Sequence, residues 1–75
     1  MIRLSRAEEM VAIAAKSVYK SECYTQNEKI ETISKMNRIV ANMAVDRLRN
    51  QGVQECYITK YSVQATQAFY AIVTA

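Results

Sequence analysis

Apolar residues recur at helical spacing from the start of the chain. Ala7, Met10, Val11, Ala14, Ala15 and Val18 follow the i, i+3, i+4, i+7 rule, while Glu9, Lys16 and Lys20 mark the opposite face. Ser5 and Glu8 precede the run at the S-x-x-E spacing of a capping box, in which each side chain satisfies a free backbone N–H of the other residue. The pattern predicts a helix over about residues 5 to 22. The narrow Ala14–Ala15 step would let another element approach closely.

A second start signal follows directly. Thr25 and Glu28 repeat the capping-box spacing, with Asn27 as a rival cap. The helix after it should run to about Asn50, where Arg47 and Arg49 suit the negative end of the helix dipole. Gly52, the only glycine in the chain, suits the left-handed residue that ends many helices. The apolar arc of this helix is wide. Ile30, Ile33, Met36, Ile39, Val40, Ala41, Met43, Ala44 and Leu48 cover roughly half the circumference at about 100° per residue. That exceeds what packing against the first helix alone requires, so the surplus calls for a sheet, a second subunit, or both.

Beyond Gly52 the pattern changes. Tyr, Val, Ile, Thr and Phe dominate, and these residue types favour pleated structure. Tyr57, Thr59 and Tyr61 alternate with Cys56 and Ile58, and Tyr70 and Ile72 alternate with Phe69, Ala71 and Val73. This alternation predicts two strands, about 54 to 61 and 67 to 74. The intervening Ser62-Val63-Gln64-Ala65 is a poor turn, without Gly, Asn, Asp or Pro. The rival is a C-terminal helix begun at Ser62 that buries Val63, Thr66, Phe69, Tyr70 and Val73. The expected fold is therefore α+β in one domain over residues 1–75, with two helices packed on a small antiparallel hairpin. An all-α three-helix domain is the alternative.

Charge follows the same division. Residues 1 to 50 hold nine of the ten basic and six of the seven acidic residues. The net charge of +3 and pI of about 9.0 permit an acidic partner without arguing for one. Hydrophobic residues make up 51% of the chain, ample for folding and too many for a disordered segment. No apolar run approaches the ~18 residues of a membrane span, and no signal-peptide core appears, so the cytoplasm is the expected location.

The composition argues against chemistry. The chain has no His, the commonest catalytic base, and a single glycine cannot make a phosphate-cradling loop. Cys23 and Cys56 cannot supply the four ligands of a structural zinc site. They read as two small, buried, reduced hydrophobes, although a single disulfide stays open. No enzyme, metal or cofactor is expected.

Two surfaces remain as binding candidates. If the hairpin turns Cys56, Ile58, Phe69, Ala71 and Val73 inward, its outer face shows Tyr57, Tyr61, Tyr70 and Ile72, with Thr59 and Thr74. Tyrosine without charge suits the centre of a protein interface. Lys35, Arg38, Asn42 and Arg49 share an arc of the second helix, where Lys and Arg could hold phosphate and Asn could pair with adenine. Two helices followed by a hairpin also suggest a winged-helix element order. Glu31 and Asp46 lie on the same arc, however. Pairs Glu31–Lys35 and Asp46–Arg49 make this an ordinary solvated face. The expectation is a non-enzymatic protein-protein interaction module, self-associating as a dimer or binding another protein, that acts as regulator, adaptor or inhibitor. Such a composition also suits the accessory proteins of phages and mobile elements. The alternative is a small nucleic-acid-binding protein.

Overall fold

The capping pairs close as hydrogen bonds, and they set where the first two helices begin. In the computed structural model, which describes residues 2–75, α1 spans Arg6–Lys20 and α2 spans Gln26–Asn50. The Ser5 N–H donates to Glu8 Oε1 (3.1 Å) and the Glu8 N–H to Ser5 Oγ (3.3 Å). The Thr25 N–H donates to Glu28 Oε1 (2.9 Å) and the Glu28 N–H to Thr25 Oγ1 (3.2 Å). Each box satisfies donors that have no partner within the helix.

The end of α2 is equally local in origin. Gly52 adopts φ +81°, open to glycine and strained for other residues. Its N–H reaches the Arg49 carbonyl (3.0 Å), and the Val53 N–H reaches the Leu48 carbonyl (3.0 Å). These are the two bonds of a Schellman stop.

The third segment corrects the sequence expectation. The two strands and their hairpin are replaced by one helix, α3, Glu55–Val73, and the described residues contain no strand. The domain is the all-α three-helix alternative, and the α+β reading fails. The reason is periodicity. Ile58, Ala65, Phe69 and Val73 are spaced by seven, four and four, which aligns them as one stripe of a helix and buries all four. The strand reading would have buried Cys56 and Ala71, and both are exposed. Strand preference is a weak local bias, and a buried helical stripe outweighs it. The helix also starts seven residues before Ser62, at Glu55, and it leaves Val63 and Tyr70 exposed.

All three helices pack against one another around a core that includes Leu4, Ile33, Val40, Phe69 and Val73. Bonds between the α1 N-terminus and the α2 C-terminus show that these two helices run antiparallel. The Ile2 N–H donates to Gln64 Oε1 (2.8 Å) and ties the N-terminal segment to α3. Ile33, Asn37, Val40 and Ala44 recur at the four-three-four spacing of a helix-bundle seam. Asn37 is the polar member of that seam, and its Oδ1 is buried without a hydrogen-bond partner.

Candidate interaction surfaces

One buried ionic contact anchors α1. Glu8 is 1% exposed and receives both Arg47 Nε (3.1 Å, at Oε2) and Arg47 Nη2 (3.2 Å, at Oε1). Arg47 Nη2 also donates to the Arg3 carbonyl (3.1 Å). Burial pushes the Glu8 carboxyl pKa up. The hydrogen bonds from Arg47 and Ser5 outweigh burial, and the net effect holds it below its ordinary value. The sequence marked Glu8 as a cap and Arg47 as a dipole partner. Their mutual contact joins positions 39 apart and had no local signal.

This anchor rotates α1 relative to the expected face. Glu8, Ala12 and Ala15 are buried, and Val11 and Val18 are half-buried. Ala7, Met10 and Ala14, assigned to the inner face, point outward with Ile13 and Ser17. Met10 is 63% and Ile13 55% exposed. A signal for this surface lay in Met10–Ala15, an unbroken apolar run of six residues. At about 100° per residue such a run exceeds one full turn, so one core cannot bury all of it.

On α3 the tyrosine set divides. Tyr57 is 51% exposed and lies beside half-buried Tyr61, with ring centroids 6.4 Å apart. Ile72 is half-buried and packs against the core. Tyr70 is exposed and stacks edge-on against Phe69 (5.1 Å). Tyr70 projects about 140° around the helix from Tyr57, so the four no longer share the single face a sheet would have provided. Tyr70 instead shares the outward face with Val63, 55% exposed, and with Thr59 and Cys56. After Glu55 the only charge on this helix is Lys60.

Lys35, Arg38, Asn42 and Arg49 do lie together on the outer face of α2, all exposed. Lys35 pairs with Glu31 (3.4 Å). Arg49 is held by Glu55 of α3 across the Gly52 turn, where the sequence pattern had offered Asp46. The hydrogen bonds of that pair lower the Glu55 pKa and raise that of Arg49. The hairpin needed for a winged-helix order is absent among the described residues.

Both cysteines are free and exposed, so the expectation that they are buried is corrected. Among the described residues no cavity opens, and no group of three or more His, Cys, Asp or Glu is placed to hold a metal. No helix among the described residues is long and apolar enough to cross a membrane. The candidate sites are therefore open surfaces: the apolar face of α1, the uncharged face of α3 and the charged face of α2. No protein family, curated protein or solved structure matches this chain.

Proposed function

We propose that this chain is a small non-enzymatic protein-protein interaction module that self-associates and works in the cytoplasm as a regulator, adaptor or inhibitor. The observation that carries this reading is the outward placement of Met10 and Ile13 on α1, among Arg6, Glu9 and Lys20, and of Val63 and Tyr70 on α3, on a face with little charge. Contiguous exposed apolar surface on a small domain marks an interaction site more often than a solvated one. The wide apolar arc of α2 adds support, because Ile30 and Ile39 stay exposed after α1 and α3 have packed.

The nucleic-acid reading has less behind it. Lys35 and Arg49 already face carboxylates of the same chain, which competes with phosphate. The deciding experiment is solution mass by light scattering at low and high salt, with and without a short DNA duplex. A salt-resistant mass near twice 8.5 kDa, unchanged by DNA, is the expected result. A monomer whose mass shifts only with DNA at low salt would replace this reading with nucleic-acid binding through the α2 face.

A further inference from the structure

We infer that the outward face of α1 rests on an anionic phospholipid surface, as an in-plane helix carried by the folded domain; this goes beyond the self-association proposed above and does not depend on it. Charge is the first argument. Residues 3–20 hold Arg3, Arg6, Lys16 and Lys20 against Glu9, once Glu8 is set aside with its partner Arg47. The other six basic residues of the chain, Arg47 among them, are balanced by its other six acids, so the net charge of +3 resides on this one stretch. Arg3, Arg6, Glu9 and Lys20 are exposed and Lys16 is half-buried. None of the five makes an ion pair within the chain among the described residues. A second copy would bring the same positive charge to this face, whereas anionic headgroups complement it.

The placement of the apolar groups is the second argument. At about 100° per residue, Arg6, Met10, Ile13, Ser17 and Lys20 fall within an arc of about 80°. Met10 and Ile13 sit between the two cations along the helix axis, 63% and 55% exposed. Glu9 lies at the margin of that arc, next to Lys16 in projection. An in-plane helix has this arrangement: apolar side chains enter the headgroup boundary, and long cationic stems run beside them to reach phosphate. The face is the convex outside of a helix, and among the described residues no cavity opens beside it. Met10 and Ile13 therefore project, which suits insertion between headgroups and gives a partner protein's side chain no socket. The phosphates of a nucleic acid would answer Arg6 and Lys20 but leave Met10 and Ile13 uncovered. The uncharged face of α3, with Val63 and Tyr70, stays free for self-association.

The test is co-sedimentation with vesicles of phosphatidylcholine, alone or with about one-third phosphatidylserine, with circular dichroism to confirm that each variant is folded. The chain should bind the anionic vesicles at low salt, bind less at high salt, and leave the neutral ones alone. Variants are compared at physiological ionic strength, where charges beyond about 8 Å are largely screened. Arg6→Gln with Lys20→Gln should weaken binding about thirtyfold, at roughly fivefold per cation. Met10→Ser with Ile13→Ser should weaken it by about tenfold. Arg38→Gln with Lys60→Gln removes the same charge from exposed positions on α2 and α3, and should change it less than about twofold. The chain has no tryptophan, so Met10→Trp supplies a single reporter, whose emission should shift to the blue on anionic vesicles while that of Val63→Trp does not. A chain that does not bind anionic vesicles at low salt overturns the inference and returns this face to a protein partner. Equal losses from the two glutamine pairs, or no loss from the two serines, would mean charge attraction without a docked face and overturn it as well. Solution mass without vesicles reads self-association separately, so either reading can fail alone.

Discussion

Helices α1 and α2 use their apolar residues in opposite ways. α2 buries Ile33, Val40, Ala44 and Leu48 and turns Glu31, Lys35, Arg38 and Arg49 to solvent. α1 buries Glu8, Ala12 and Ala15 and turns Met10 and Ile13 to solvent. The inner face of α1 is thus small and ionic, and its bulk lies outside. A close helix approach needs small residues, and the Glu8–Arg47 pair fixes which side of α1 comes near. The larger side chains are left over on the far side. A helix with its larger apolar residues outside is half-satisfied by its own domain, whereas α2 buries most of its apolar arc and leaves Ile30 and Ile39 outside beside its charges.

The comparison breaks most readily at Glu8. Glu8→Ala leaves Arg47 without its carboxylate and the Ser5 N–H without its acceptor. The expected loss is about 2–3 kcal/mol, below the range for fully buried pairs because Arg47 regains water. That is a large share of the total for a domain this size. Urea unfolding reads it. Glu31→Ala, the matching change on the exterior of α2, should cost under about 0.5 kcal/mol, since both partners there are exposed. Equal losses from the two changes would erase the contrast between the helices.

Acid should act on the same contact. The Glu8 pKa is lowered in the folded state, so the stabilisation it gives is present above its unfolded value and is lost as pH falls through the folded one. Glu28 and Glu55 shift in the same direction, Glu28 through its bonds with Thr25 and Glu55 through Arg49. The thermal midpoint should therefore drop as pH falls below about 4.5, the ordinary value for these groups. The drop should be shallower in Glu8→Gln.

A smaller effect is expected at the close of α2. Gly52→Ala meets no atom within 4 Å of the added Cβ, so its cost is backbone strain alone, about 1 kcal/mol. A Cβ clash elsewhere would give more, and a neutral result would mean that the turn relaxes. In the α2 seam the sign reverses. Asn37→Leu removes a buried carbonyl oxygen that has no partner and should stabilise the monomer by about 1 kcal/mol. Destabilisation by that change would show that Asn37 makes a bond, through water for example, that the side chain alone does not reveal.

Much of the local architecture was legible in the chain. Both capping boxes, the Gly52 stop and the extents of α1 and α2 follow from residues within a few positions of each other. Their signals are hydrogen bonds between near neighbours, which do not depend on the rest of the fold. The candidate sites were less legible. The α2 cluster Lys35, Arg38, Asn42 and Arg49 does share a face, because α2 was correctly read as a helix. Tyr57, Tyr61, Tyr70 and Ile72 do not, because their grouping assumed period two and the backbone took period 3.6. Val63, Tyr70 and Thr59 then became neighbours on a face that no strand pattern contains.

What the sequence by itself determined is the set of contacts closed by adjacent residues: where α1 and α2 start, where α2 ends, and the shortage of charge after Gly52. What only the tertiary structure decided is which way each helix faces. Segment 55–73 carries residues that favour strands, and its helix is selected by the buried stripe from Ile58 to Val73 against α1 and α2. The rotation of α1 is selected by Glu8 meeting Arg47, 39 positions away. Burial and ion pairing depend on partners distant in sequence, so local spacing left open which of two apolar faces each of these segments would turn inward.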